Sequence, residues 1–152
     1  MDIKYEMTDK TIEIDGHTLH RIRATKHFGD IRAGDLGGFI EKENNLSQDG
    51  DCWVFPGAFV YENACVVHSA LVFGNARVHG MSRISGEAWV YGGAEIYDKA
   101  WITGRSQVHG RAEIFGSAQV CDEAIVSGDA AIGGMVIVSG STRLADLRSH
   151  QR

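Results

Sequence analysis

Every sixth residue from Val54 to Val138 is valine or isoleucine: Val54, Val60, Val66, Val72, Val78, Ile84, Val90, Ile96, Ile102, Val108, Ile114, Val120, Val126, Ile132 and Val138. Fifteen consecutive hits by chance have a probability on the order of 10⁻¹², so an internal repeat sets the fold. Two residues before most of these stands a small side chain: Ala58, Ala64, Ala70, Ala76, Ser82, Ala88, Ala94, Ala100, Ser106, Ala112, Ala118, Ala124 and Ala130. Residues two apart in a strand share a face, so each hexad reads as a short strand with Ala and Val turned inward and their neighbours outward. Period six does not fit the 3.6 residues of a helical turn. The remaining positions, such as Gly74-Asn75, Gly92-Gly93, Gly110-Arg111 and Gly128-Asp129, suit a corner with unusual backbone angles.

Three strand-and-corner units close a triangular coil of eighteen residues, and stacked coils pair at about 4.8 Å. About five coils are expected. At 152 residues with 19 glycines, one proline (Pro56) and 23% charge, the chain reads as one turn-rich β domain. We expect three parts: a hairpin cap with its lead-in segment over 1–45, the repeat over 46–140, and a tail over 141–152. Thr11-Ile12-Glu13-Ile14, an Asp15-Gly16 turn and His17-Thr18-Leu19-His20-Arg21-Ile22-Arg23 form the hairpin. Leu144 and Leu147, three apart in the tail, suggest a short helix over the last coil.

The aliphatic-x-x-turn-small pattern resembles that of the hexapeptide-repeat proteins, and the resemblance covers roughly residues 36–138. Within that group it is nearest the YdcK-like, often prophage-borne members, whose opening motif is similar to Leu36-Gly37-Gly38-Phe39-Ile40-Glu41, Asn45-Leu46-Ser47, Gly50 and Trp53-Val54. This resemblance implies a left-handed parallel β-helix, although crossover physics alone favours the right hand. It also implies a homotrimer of packed prisms and a transferase label that rests mostly on fold, a weak guide to chemistry.

The eighteen-residue coil sorts outward side chains onto three walls. On the first stand Trp53 and Phe55, Leu71 and Phe73, Trp89 and Tyr91, Gln107 and His109, Ile125 and Ser127. So long an apolar stripe points to burial against another subunit, through Trp53, Phe55, Leu71, Phe73, Trp89, Tyr91, His109 and Ile125, with cover by the N-terminal segment as the alternative. The second wall carries Phe59 and Tyr61, Arg77 and His79, Glu95 and Tyr97, Glu113 and Phe115; the third carries Cys65 and Val67, Arg83 and Ser85, Trp101 and Thr103, Gln119 and Cys121. Arg77 beside Glu95 reads first as a cross-strand ion pair. A functional reading gathers Arg77, His79, Glu95, Tyr97, Trp101 and Arg83 as binding residues for a small anionic, nucleotide-like ligand.

His68, His79 and His109 are the candidate general bases, the latter two foremost, with no Asp or Glu at a diagnostic spacing to orient any of them. His79 and His109 fall on different walls and cannot share a metal ion within one subunit. No phosphate loop, nucleophile elbow or zinc motif is present, and three cysteines at unrelated spacings suggest reduced thiols. A net charge of −5 argues against nucleic acid, leaving only His17, His20, Arg21, Arg23, Lys26, His27 and Arg32 as a local basic stretch. Without a long apolar run or a signal-like start, a cytoplasmic protein is expected. Two functions follow: a non-catalytic binding trimer, phage-encoded as the resemblance implies, that sequesters its ligand or blocks a host protein, needing no cofactor; or an acyltransferase using acetyl-coenzyme A and a histidine base between subunits. A purely structural assembly role is a third. The uninterrupted repeat, with no lid to exclude water, favours the first.

Overall fold

The computed structural model describes residues 3–149. Strands β1 (Tyr5–Ile14) and β2 (His17–Ala24) form an antiparallel hairpin. Its turn residues Asp15 and Gly16 both have positive φ, 51° and 82°, which matches the right-handed twist of the flanking strands. Strand β3 (Leu36–Ile40) pairs antiparallel with β2 and parallel with Phe59–Val60, and so joins the hairpin to a parallel β-helix. Gly37 and Gly38 permit this join. A Cβ on Gly37 would lie 2.6 Å from the Val54 carbonyl oxygen, and one on Gly38 would strike that of Ala58.

Beyond β3, two- and three-residue strands follow one another around a triangle, pairing in parallel at a spacing of eighteen residues, except that Ala131 pairs with Arg148. Trp53–Val54, Leu71–Val72, Trp89–Val90, Gln107–Val108, Ile125–Ser127 and Arg143–Ala145 make the first wall. The second wall continues the hairpin sheet through Phe59–Val60, Arg77–Val78, Glu95–Ile96, Glu113–Ile114, Ala131–Ile132 and Arg148–Ser149. Cys65–Val66, Arg83–Ile84, Trp101–Ile102, Gln119–Val120 and Ile137–Val138 make the third, which Leu46 extends by a bridge to Val66. All fifteen Val and Ile of the six-residue series and the alanines before them are buried inside the tube. Each such aliphatic contributes about 1.5–3 kcal/mol relative to exposure.

Two expectations change. The solenoid has about six turns rather than five, because β3 and Leu46 occupy rungs ahead of the regular repeat and Arg143–Ala145 adds one behind it. The expected tail helix is two strands instead: Leu144 continues the inward series six residues after Val138 and pairs with Val126. Residues 1–2 and 150–152, at the outer limits of the cap and tail, lie outside the described residues.

The corners repeat one device. From position 62 to 146, every sixth residue has positive φ. Most are glycine, because the next coil's backbone crosses where a side chain would sit; a Cβ on Gly80 would lie 2.8 Å from the Asp98 amide nitrogen. Where the residue is not glycine, its side chain reaches to a neighbouring coil. Glu62, His68, Asp98 and Asp122 accept hydrogen bonds from the amides of Gly80, Gly86, Gly116 and Gly140, each eighteen residues later, at 2.8–3.1 Å.

The hairpin and the segment after it close the first coil. Tyr5 donates its hydroxyl to the Leu46 carbonyl at 2.5 Å, and Asn45 accepts from the amides of Glu41 and Lys42 while donating to the carbonyls of Glu62 and Ala64. Trp53 is 1% exposed, edge-on to Tyr5 and Phe28. It is therefore not available to a second subunit: the N-terminal segment covers this end of the apolar stripe. Much of the basic stretch is engaged locally, with Arg21 donating to the Gly37 carbonyl, Arg23 paired with Glu6 and His20 bonded to the Thr8 carbonyl.

Candidate functional site

Parallel pairing places identical wall positions one above another, so outward side chains form continuous columns. In the second wall the residue after each inward aliphatic gives Tyr61, His79, Tyr97 and Phe115. Their rings stack with centroids 4.9, 5.4 and 5.4 Å apart and planes within 11°. The column ends where the Phe115 ring lies over Gly133, whose missing side chain leaves room for it.

Carboxylates thread this stack. His79 Nε2 lies 2.7 Å from Glu95 and its Nδ1 lies 3.4 Å from Glu62. His17, reaching across from the hairpin, meets Glu41 at 2.9 Å with Nδ1 and Glu62 at 3.1 Å with Nε2. Glu41 also accepts the Glu62 amide at 2.8 Å, and Tyr97 donates to Glu113 at 3.0 Å. A chain Glu41, His17, Glu62, His79, Glu95 thus ties the cap to three successive coils. The hydrogen bond that His17 donates to Glu41 raises the pKa of His17 most, and burial only partly opposes it. Burial pushes Glu41 and Glu62 upward, yet hydrogen bonds from His17 to the first and from the Gly80 amide to the second outweigh it, leaving both below the usual carboxylate range. Burial raises Tyr61 to about 12 and, with the Glu113 hydrogen bond, raises Tyr97 as well.

This corrects the expectation that no carboxylate orients a histidine. Glu62 and Glu95 lie 17 residues before and 16 after His79, spacings that mean nothing in a single strand and adjacency in an eighteen-residue coil. It also changes the expected cross-strand ion pair. Glu95 does stand opposite Arg77 in register, but its carboxylate meets His79, while the Arg77 guanidinium lies 5.8 Å over the Phe59 ring. A recess of about 320 Å³ lies beside the chain, lined by His17, Glu41, Lys42, Glu62, Asn63, Gly80 and Met81.

The first wall builds a similar column without charges. Phe73, Tyr91 and His109 stack at 4.6 and 4.7 Å with planes within 4°, and Phe55 meets Phe73 edge-on. Tyr91 donates to Gln107 at 2.9 Å. His109 has no hydrogen-bond or ion-pair partner among the described residues. Leu71 and Ile125 are half-buried, whereas Trp89 is 42% exposed in a groove of about 320 Å³ with Ser69, Glu87, Arg105 and Gln107.

The third wall holds the other two residues expected at a ligand site, Arg83 and Trp101, which are rung neighbours. Trp101 is 41% exposed and is pinned by its indole N–H, which donates to the Ser85 hydroxyl at 3.0 Å; Ser85 donates in turn to Thr103. Arg77, His79, Glu95 and Tyr97 thus share one wall while Arg83 and Trp101 share the next. Neither Arg77 nor Arg83 has a carboxylate partner among the described residues. His79 and His109 stand on different walls, in the same positions of their rungs. No group of three or more His, Cys, Asp or Glu among the described residues has metal-binding geometry, and no helix among them is long and apolar enough to cross a membrane.

No family model matches the chain. A stretch of 37 residues is 43% identical to the protein described as "Uncharacterized acetyltransferase YdcK" from Escherichia coli (strain K12), covering 24% of this chain and 11% of that relative. The fold and this match together fit a hexapeptide-repeat β-helix. The matched stretch spans about a tenth of the curated relative's length, so the activity named there is said of that protein.

Proposed function

We propose that the chain is a non-catalytic, self-associating β-helix that binds a small anionic, nucleotide-like ligand on its third wall. The observation that carries this reading is the pairing of Trp101 with Arg83: a half-exposed indole hydrogen-bonded to Ser85, beside an exposed guanidinium with no carboxylate partner among the described residues. An aromatic face for a base and an open guanidinium for a phosphate are what such a ligand requires. The second wall supports the same conclusion from the other side. A general base needs a free ring nitrogen, and both nitrogens of His79 and of His17 already face carboxylates. Self-association, as a trimer of prisms, fits the half-buried apolar column Phe55, Leu71, Phe73, Tyr91 and Ile125, since a contiguous apolar surface commonly marks a subunit contact.

The experiment combines thermal shift with product analysis over a nucleotide panel and acetyl-coenzyme A. A nucleotide that raises the Tm, is recovered unchanged, and loses its effect in Trp101→Ala and Arg83→Ala is the expected result. Failure of every nucleotide to stabilise the wild-type chain overturns the ligand class.

One observation favours a second reading, an acyltransferase using acetyl-coenzyme A. His109 carries an unengaged imidazole on the wall that would meet a neighbouring subunit, and the partial relative is described as an acetyltransferase. Against it, two guanidiniums beside that wall, Arg105 and Arg111, are paired with Glu87 and Asp129 and are not free for coenzyme phosphates. Turnover of acetyl-coenzyme A that vanishes in His109→Ala would establish it.

A further inference from the structure

Lys4 is completely buried, a rare state for lysine, and nothing in the ligand-binding reading uses it. Its Nζ lies 2.8 Å from the Cys52 carbonyl oxygen, 3.1 Å from that of Gly50 and 3.4 Å from the Cys52 sulfur, with the Phe28 ring 4.8 Å away. The Cys52 sulfur, also fully buried, is otherwise surrounded by carbonyl oxygens of Ser47, Asp49 and Val66 at 3.6–3.7 Å. Cys65 and Cys121 stand on the outside of the third wall, so an oxidised Cys52 sulfur has no thiol beside it to resolve it into a disulfide. Among the described residues the nucleophile beside that sulfur is the Lys4 amine.

We infer that Lys4 and Cys52 form an oxidation-dependent covalent staple in which one oxygen atom bridges the amine nitrogen and the sulfur. The oxidant is dioxygen. One N–H and the S–H bond break, the O–O bond breaks, and N–O and O–S bonds form; the second oxygen atom leaves as water with the two hydrogens. Nitrogen and sulfur each give up two electrons, and dioxygen takes all four. The reaction uses the neutral amine, and burial acts in that direction by lowering the pKa of Lys4. A contact of 3.4 Å lets one atom bridge the pair through side-chain torsions alone, leaving the backbone in place.

The staple would join the residue just ahead of β1 to the residue just ahead of Trp53, fixing the cap to the first coil. Such a link acts where the coil end is otherwise held by hydrogen bonds and by the Tyr5, Phe28 and Trp53 rings. Crosslinks of this kind stabilise chiefly by restricting the unfolded chain. The amine and thiol are also protected from larger oxidants and from competing nucleophiles by their burial, which favours a single product.

The test uses the full chain carrying Cys65→Ser and Cys121→Ser, leaving Cys52 as the one thiol. Intact mass spectrometry after exposure to dioxygen should show a gain of one oxygen less two hydrogens, reversed by dithiothreitol and absent from protein kept reduced without oxygen. Fragmentation should join the Lys4 and Cys52 peptides, and isotopically heavy dioxygen should place one heavy atom in the link, a readout that needs no further variant. Lys4→Arg should abolish the product. The inference fails if the mass does not change, if Cys52 gains oxygen without linkage to Lys4, or if the link lacks oxygen and joins sulfur directly to nitrogen.

Discussion

The first and second walls share a backbone geometry and an aromatic column in the same rung position, yet they are held together differently. Phe73, Tyr91 and His109 stack with one neutral hydrogen bond, from Tyr91 to Gln107, whereas Tyr61, His79 and Tyr97 stack with the carboxylates of Glu62, Glu95 and Glu113 bound into the column. Since the coil supplies the spacing in both, the difference lies in the residue before each inward aliphatic. In the three middle coils it is apolar or amide on the first wall, with Leu71, Trp89 and Gln107, and charged on the second, with Arg77, Glu95 and Glu113. The repeat therefore fixes where side chains stand, and the residue type at one position in six decides whether a wall is a sticky surface or a polar network.

What the walls have in common should respond most strongly to substitution. Ile96 lies wholly buried beneath the second wall, and Ile96→Ala is expected to cost about 2–5 kcal/mol in urea unfolding, since neighbouring rungs cannot close the cavity without shifting whole coils. Val90→Ala beneath the first wall should cost less in proportion to its smaller side chain, whatever stands outside. A large disparity beyond that would mean that the outer columns, and not the tube, dominate stability.

Next come the corners that join the walls. Gly80 has φ +71° and faces the Asp98 backbone, so Gly80→Ala should cost about 1–2 kcal/mol from the left-handed conformation alone, with the clash added. Asp98→Gly removes only the hydrogen bond to the Gly116 amide, worth about 1 kcal/mol. If the two variants were equally stable, the rule that a non-glycine corner must be followed by a glycine eighteen residues on would be wrong.

Most of the tube, but little of this wiring, was legible in the sequence. Periodicity six places each inward residue because burial acts at every rung, and the outward columns follow from alternation. The carboxylate partners of His79 were missed because contacts across coils sit at spacings of 16 to 18. An acidic residue followed by glycine at eighteen, as in Glu62 and Gly80 or Asp98 and Gly116, was the available signal. Leu144 stands six after Val138 but escapes the series because it is neither Val nor Ile, and its spacing from Leu147 suggests a helix instead. The cover over Trp53 left no periodic trace, since Tyr5 and Phe28 belong to irregular or antiparallel segments.

The two walls should separate under pH. His17 has a raised pKa, so its contribution is fully present below the ordinary value of 6.5 and is lost as pH rises through the higher folded value. Glu41 and Glu62 have lowered pKa values; their contribution is present above the ordinary 4.5 and is lost as pH falls through the folded values. The network is therefore tightest between about pH 4.5 and 6.5. A plot of Tm against pH should show this window, and His17→Gln should remove the decline on its alkaline side. An unchanged profile in that variant would exclude the cap histidine as its source.

The smallest effects sharpen the comparison most. His79→Phe keeps a ring in the second column but leaves Glu95 and Glu62 facing an apolar edge, and should cost about 1 kcal/mol, limited because both carboxylates are 36% exposed and can turn to water. Tyr91→Phe keeps the ring in the first column and removes only the hydrogen bond to Gln107, so it should cost about 0.5 kcal/mol. Double substitutions with Glu95→Gln and Gln107→Ala test the assignment: each pair shares a contact, so both should be non-additive, the His79 and Glu95 pair more strongly and the Tyr91 and Gln107 pair by no more than its single hydrogen bond, about 0.5 kcal/mol. Additivity on the second wall would mean that His79 is held by Tyr61 and Tyr97 alone, and the two columns would then differ in composition but not in how they cohere.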